Sequence, residues 1–389
     1  MSATGLSGDS TAPGPLDGLI VADLTRVLAG PYCTMLMADL GATVIKVESP
    51  LGDETRGWLP PEHDGVSTYY ASVNRNKRSV VLDFGVDSDV ALVERLLERA
   101  DIAVENFKPG GLARFGLDFN AARELNSQLI YLSISGFGTA GGAQLAGYDL
   151  IAQAVSGFMS LTGDPEGPPY RAGVAIFDVI TGLHGLVGVL SALHQRSRTG
   201  VGQHVEVNLL SSALSGLVNQ SGAFAAGGTT AHRLGNAHPS IYPYEVFPAH
   251  DRDVVIAAAN DRQFRSLCGV LVLPDVADDD RFATNAARVM NRSALHPILL
   301  GRLARWKADD LFSALVGVGV PCGPINSVAE GLAFAEQLGL APFVAVTNGE
   351  RSVRAVRNPI TFSAAAARYD TPPPELGANS ETIRDWLSN

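Results

Sequence analysis

Apolar residues in the first half of the chain fall into short continuous runs separated by longer amphipathic stretches. Leu19-Ile-Val-Ala-Asp-Leu24 suits a buried parallel strand, and Gly30-Pro31 then opens a helix through Tyr32 to Leu40. Gly41 ends that helix, and Thr43-Val-Ile-Lys-Val-Glu48 is the next strand. The alternation repeats with a strand over 79–84, a helix over 87–99, a strand over 101–106, a helix over 117–126 and a strand over 129–134. Strands alternating with helices of this length predict a parallel sheet covered on both faces.

Further on, 148–161 predicts a helix, and the strand-like run Gly173-Val-Ala-Ile-Phe177 delivers Asp178 to the start of a glycine-spaced apolar helix ending near Ser197. A turn over 198–202 leads into the strand His204-Val-Glu-Val-Asn208, and a helix follows to about Gln220. Between Ser221 and His238 the composition shifts to Gly, Ala, Thr and Asn, which reads as a linker. Beyond it, a strand over 254–259 and helices over 263–271 and 294–307 predict a smaller α+β domain. Pro321-Cys-Gly-Pro324 then breaks the pattern, and a strand over 352–356 and a helix over 380–387 close the chain. The division expected is a flexible tail over 1–16, a large Rossmann-like domain over 17–220, a linker and small domain over 221–325, and a C-terminal segment over 326–389.

The 389 residues are 46% hydrophobic, ample for two lobes with their own cores. A net charge of -11 repels phosphate backbones and anionic lipid, so neither nucleic acid nor a membrane surface is an expected partner. The first sixteen residues lack the basic start and apolar core of a signal peptide, and the apolar stretch 179–193, interrupted by Gly182, His184, Gly185 and Gly188, reads as falling short of a membrane span. Three scattered cysteines, Cys33, Cys268 and Cys322, predict free thiols in a reduced cytoplasm. No histidine pair has metal-ligand spacing, so no metal is expected. The first βα turn, Asp23-Leu-Thr-Arg-Val-Leu-Ala-Gly-Pro31, lacks GxGxxG, and GxxxxGK[ST] is absent, which disfavours nicotinamide and nucleoside triphosphate chemistry. Such a turn can still hold a ligand through backbone N–H groups at the helix N-terminus.

Asp178 is the leading candidate for chemistry. A helix N-terminus favours an anion and is expected to keep it ionised, which suits a covalent nucleophile; the alternative is a plain helix cap. Of two basic runs, 74–78 reads as solvated surface charge. In the other, Asn106, Phe107 and Lys108 come at the C-terminal end of a predicted parallel strand, where open α/β sheets bind ligands. Phe107 is suited to face a base, Asn106 to hydrogen-bond it, and Lys108 with Arg114 to meet phosphates. The glycines at 136, 138, 141 and 142 form either a loop over a site or an ordinary surface turn.

In order along the chain, Asp23-Leu-Thr-Arg-Val-Leu-Ala-Gly-Pro31, Ala38-Asp-Leu-Gly-Ala-Thr-Val-Ile-Lys-Val-Glu48, Asn74-Arg-Asn-Lys-Arg-Ser79, Val104-Glu-Asn-Phe-Lys-Pro-Gly110, Ser135-Gly-Phe-Gly138, Gly147-Tyr-Asp-Leu150, Ser156-Gly-Phe-Met159 and Phe177-Asp178 resemble the class III coenzyme A transferase family. This is the group of formyl-CoA and carnitine CoA-transferases, and the resemblance runs on through Arg198-Thr-Gly-Val-Gly-Gln203, Leu234-Gly-Asn-Ala-His-Pro239 and Val320-Pro-Cys-Gly-Pro324. It implies an α/β fold in which both ends of the chain build a Rossmann-like domain with a small domain between, in an interlocked homodimer. It implies CoA or acyl-CoA as cosubstrate with no tightly bound cofactor, a carboxylic acid as acceptor, and Asp178 as the nucleophile carrying CoA. Leu28, Ala29, Leu82, Asn106, Phe107, Arg114, Gly147 and Tyr148 stand at positions that contact CoA in the family, whereas Ser49 and Gly85 replace basic residues of formyl-CoA transferase. The same fold hosts α-methylacyl-CoA racemases, which carry Gly-His-Asp where this chain has Gly147-Tyr148-Asp149; racemization and non-catalytic acyl-CoA binding are the alternative functions. A dicarboxylate acceptor would want an arginine, for which Arg171 and Arg233 are candidates.

Overall fold

In the computed structural model, which describes residues 13–349 and 351–389, the alternating pattern becomes six parallel strands. The strands are β1 (Ile20–Asp23), β2 (Thr43–Glu48), β3 (Lys77–Val81), β4 (Ile102–Glu105), β5 (Ile130–Ser135) and β6 (His204–Asn208). Their spatial order is β3-β2-β1-β4-β5-β6, the doubly wound order of a Rossmann sheet, and each neighbouring pair is parallel. Helix α1 (Ala29–Asp39) follows β1, α2 (Asp87–Arg99) follows β3, α3 (Phe119–Leu125) follows β4, and α4 (Asp149–Val155), α5 (Ile176–Thr199) and α6 (Leu209–Gly216) flank β5 and β6. Two apolar layers result. Val21, Val44, Ile102 and Leu132 face α1 and α5, while Ala22, Ile45, Val80 and Tyr131 face α2 and the C-terminal helix over 380–388.

Helix α5 carries the glycine spacing for a steric reason. A Cβ on Gly182 would lie 2.6 Å from the Ala29 carbonyl oxygen, one on Gly185 2.9 Å from the Leu132 side chain, and one on Gly188 2.7 Å from Val205. The glycines let α5 lie directly on α1, β5 and β6. The expectation that this stretch falls short of a membrane span needs correcting, because the full 24-residue helix is long and apolar enough by length and composition alone. Its glycine face is nevertheless packed on the sheet.

The chain forms two compact units. The larger runs to Phe158 and adds Arg171–Thr230 and Ala341–Asn389; the smaller comprises Met159–Tyr170 and Ala231–Leu340. The smaller unit has its own core around Phe247, Phe264, Leu299 and Leu311, under an antiparallel sheet of β7 (Tyr244–Pro248), β8 (Asp253–Ala257) and β9 (Cys322–Pro324). Pro321–Pro324, expected to break the pattern, thus supplies an edge strand, the position where proline is tolerated. The predicted linker begins as a helix over Asn219–Gly227; residues 326–340 stay with the smaller unit, where Arg252 bonds Asn326 and Glu330, and the chain rejoins the larger unit only from Ala341. Of the expected tail over 1–16, residues 1–12 lie outside the described residues, while Gly14 and Leu16 are buried against the end of α1.

The basic run 74–78 also departs from expectation. Arg75 and Lys77 are buried, Arg75 pairing with Asp39 and Lys77 with Asp23 at 3.0 Å. Strand β3 therefore starts at Lys77, two residues before its apolar run.

Candidate active site

A cavity of about 180 Å³ opens at the C-terminal ends of β1, β4 and β5, where the strand order reverses. Val27, Leu28 and Ala29 form one wall, Asn106, Phe107 and Lys108 a second, and Ser135, Gly136, Gly147 and Tyr148 a third, with Asp178 facing the space between. Eight residues singled out from sequence therefore meet in one place: Leu28, Ala29, Asn106, Phe107, Lys108, Gly147, Tyr148 and Asp178. Leu82 and Arg114 are not among the residues lining this cavity. Leu82 is buried in the core on the α2 side, and Arg114 is exposed on a short turn with its guanidinium 4.4 Å from the Phe115 ring centroid. A chain of rings links Arg114 to the cavity, since Phe115 meets Phe84 at 5.5 Å and Phe84 meets Phe107 at 6.1 Å. Ser49 and Gly85 are exposed.

The surroundings of Asp178 differ from expectation in two ways. No strand precedes it; the helix begins at Ile176, so Asp178 is the third helical residue and makes no side-chain cap. The capping is done by Asp149, whose Oδ1 accepts the N–H groups of Phe177 at 2.7 Å and Asp178 at 3.2 Å. Ile176 and Val179 donate to the Val174 and Ala175 carbonyls, so the first four N–H groups of α5 are all occupied. The charge that the helix end favours is thus supplied by Asp149. Burial, reinforced by the nearby Asp149 carboxylate, pushes the Asp178 carboxyl up to about 7. The expectation that the helix end keeps Asp178 ionised is corrected: burial and Asp149 raise its carboxyl to about 7, so it titrates near neutrality.

Sequence reasoning missed two residues, Gln153 and Tyr69, and one contact, between Gly136 and Gly147. Gln153, fully buried one turn after Asp149, donates to its Oδ2 and accepts the Ala172 N–H at 2.8 Å, which fixes both the cap and the entry to α5. Tyr69, edge-on to Trp58, is pushed up to about 12 by burial and by the charges of Asp178 and Asp149, so it faces the carboxylates as a neutral phenol. Gly136 and Gly147 touch backbone to backbone, since a Cβ on either would fall within 2.4 Å of the other's Cα. Only the spacing Asp149-x-x-x-Gln153 was visible in the chain as a sign of the first.

Asn106 also has a structural duty. Its Oδ1 accepts the Arg26 N–H at 3.0 Å and its Nδ2 donates to the Arg26 carbonyl at 2.7 Å, so the amide is spent joining two walls of the cavity. The cysteines take no part: Cys33 is buried in the core, and burial pushes the Cys268 and Cys322 thiols up to about 11. Among the described residues no cluster of His, Cys, Asp and Glu could hold a metal ion.

Residues 16–380 match the family described as CoA-transferase family III. The chain belongs to CoA-transferase family III. The succinate–glutarate CoA-transferase of Agrobacterium fabrum is 44% identical over 379 residues, covering 95% of this chain and 94% of that protein. Human succinyl-CoA:glutarate CoA-transferase is 40% identical over 374 residues, covering 95% and 85%. The crystal structure of a CAIB/BAIF family protein from Brucella suis, 44% identical, aligns with a TM-score of 0.88 over 96% of this chain and 100% of that one. This CoA-transferase takes a CoA thioester as cosubstrate and moves CoA between an acyl-CoA and a carboxylic acid. Racemization and non-catalytic binding give way to that activity.

Proposed function

We propose that the transfer runs through an aspartyl-CoA thioester on Asp178. The observation that carries this reading is the convergence of Asp178 and seven other expected residues on one cavity at the switch point of the sheet. The Asp178 carboxylate attacks the donor thioester carbonyl, giving a mixed acyl-aspartyl anhydride and CoA thiolate. The thiolate then attacks the aspartyl carbonyl, releasing the donor acid and leaving CoA on Asp178. The acceptor carboxylate attacks that thioester and expels the thiolate, which attacks the acceptor's acyl carbonyl and regenerates the Asp178 carboxylate. Every step conserves one activated acyl bond. The raised basicity of Asp178 strengthens its ionised form as a nucleophile. The start of α1 and the glycine segment at 136, both lining the cavity, are the elements we assign to stabilising the tetrahedral oxyanions and, for the loop 136–142, to excluding water from the anhydride.

For substrates we take dicarboxylic acids such as succinate and glutarate, on the strength of the relatives' names. Of the two candidate arginines, Arg233 is spent on the Asp164 and Gly167 carbonyls, both at 3.0 Å. Arg171 is exposed and bonds one carbonyl, Nη1 donating to Ala172 at 3.2 Å, and the Ala172 N–H is held by the same Gln153 that braces Asp149. We assign the acceptor's distal carboxylate to Arg171. Exchange assays with succinyl-CoA test this: glutarate accepts CoA at least about tenfold more efficiently than a monocarboxylate of equal length, and Arg171→Ala removes most of that preference by raising KM. Equal rates for the two acids in the wild type would contradict it.

The protein is expected to work as a homodimer, interlocked as the family resemblance implies. What supports self-association is an apolar face on α4, α5 and α6, where Leu150, Ile151 and Val155, Leu183, Val187 and Leu190, and Leu214 are all exposed. Its three free thiols support a reducing compartment, for which we take the cytoplasm.

A further inference from the structure

The wall formed by Val27, Leu28 and Ala29 rests on an unfavourable backbone. Val27 has φ +70°, in the left-handed region that a β-branched side chain strongly disfavours. Such a conformation persists only where its surroundings hold it, and it clusters at functional sites. The holding contacts can be accounted for group by group. The Thr25 N–H donates to Asp23 at 3.0 Å, and the Thr25 carbonyl accepts the Lys46 ammonium at 2.8 Å. Both polar groups of the Arg26 peptide are taken by Asn106. The Val27 N–H points at the Asp53 carboxylate, 3.3 and 3.4 Å from its two oxygens. Asp53 is itself fixed: its carboxylate pairs with Lys46 at 2.9 Å, both side chains being fully buried, and accepts the Thr55 N–H at 3.0 Å and the Thr55 hydroxyl at 2.7 Å. One buried ion pair therefore grips the turn twice, Lys46 at Thr25 and Asp53 at Val27.

We propose that Asp53 is a positioning residue for CoA binding, holding Val27 in its left-handed conformation so that the turn from Val27 to Ala29 presents a preformed wall to the thioester end of the ligand. Asp53 is not among the residues lining the cavity, so it acts through Val27. Without it the turn relaxes toward ordinary backbone, and apparent affinity falls by the fraction of molecules that keep the competent shape. The inference rests on reading this cavity as the CoA site.

The test is the affinity for CoA, measured by calorimetry, together with steady-state kinetics on succinyl-CoA. Asp53→Asn is expected to raise both the CoA Kd and the succinyl-CoA KM roughly tenfold while kcat stays within about threefold. Adding Val27→Gly is expected to recover most of the loss, because glycine enters the left-handed region without steric cost. Thr55→Val keeps the ion pair and removes only a hydroxyl that orients Asp53; it is expected to shift Kd in the same direction by a smaller factor, and carries the test should Asp53→Asn fail to fold. An unchanged Kd in the folded variant, a fall in kcat at constant KM, or no recovery on adding Val27→Gly would overturn the proposal. Should no CoA become attached to Asp178 while Asp53→Asn still weakens CoA, the covalent reading fails and this one stands.

Discussion

At the scale of single residues, the site turns on two carboxylates at one helix end. Asp149 holds the N–H groups of α5, and Asp178 sits beside it with its carboxyl raised to about 7 by burial and by that neighbour. Attack requires the ionised form, so kcat/KM rises with pH through about 7 and falls tenfold per unit below it. Asp149→Asn removes the like charge and lets Asp178 ionise more readily. The rising limb of the pH profile is therefore expected to move to lower pH, even if overall activity drops because the cap is weakened; an unmoved limb would contradict the coupling. Asp178 itself was legible in the sequence, as was its company of Leu28, Ala29, Asn106, Phe107, Lys108, Gly147 and Tyr148. Its raised carboxyl was not, because burial in the folded chain comes first among its causes and the Asp149 carboxylate, 29 residues away, second. The same holds for the basic run 74–78: Arg75 and Lys77 look solvated until the sheet brings Asp39 and Asp23 to them across 36 and 54 residues.

Among elements, those bounded by glycine or formed from an uninterrupted apolar run were read correctly, as β2, β6 and α2 illustrate. Failures fall where tertiary contact overrides pattern. The proline-rich segment at 321 becomes a strand because it pairs with β8, and the helix predicted over 148–161 is split into Asp149–Val155 and Phe158–Leu161 at Gly157, which takes φ +92°. Helix α5 yields a prediction of its own. Gly182 lies one turn after Asp178 and brings α5 against the Ala29 carbonyl, so Gly182→Ala forces the helices apart. Overpacking of this kind costs about 1–3 kcal/mol and displaces Asp178 from the Leu28–Ala29 wall. A lowered melting temperature with a fall in kcat/KM of about tenfold or more is expected; an active variant of undiminished stability would contradict the packing argument.

For the whole molecule, the six-stranded parallel sheet positions the cavity and the glycine-faced helix α5 delivers Asp178, the proposed nucleophile, to it. The alternation of strands and helices made this architecture legible, and the missing GxGxxG fingerprint kept it from being taken for a dinucleotide enzyme. The outer side of α5, by contrast, looks from sequence like the interior of a buried helix, yet Val187 and Leu183 are exposed on this chain. In the proposed homodimer a second copy covers them: the wild type is expected to sediment as a dimer, and Val187→Arg, which sets a charge in that face, is expected to weaken or abolish dimerisation. A wild type that sediments as a single chain at assay concentration would contradict it. The central claim is covalent attachment of CoA to Asp178, and intact-protein mass spectrometry after brief mixing with succinyl-CoA measures it directly. The account predicts a CoA adduct on the wild-type chain that maps to the peptide containing Asp178 and is absent in Asp178→Ala, whose transferase activity is lost; an adduct-free enzyme that turns over, or an Asp178→Ala variant with full activity, would contradict it.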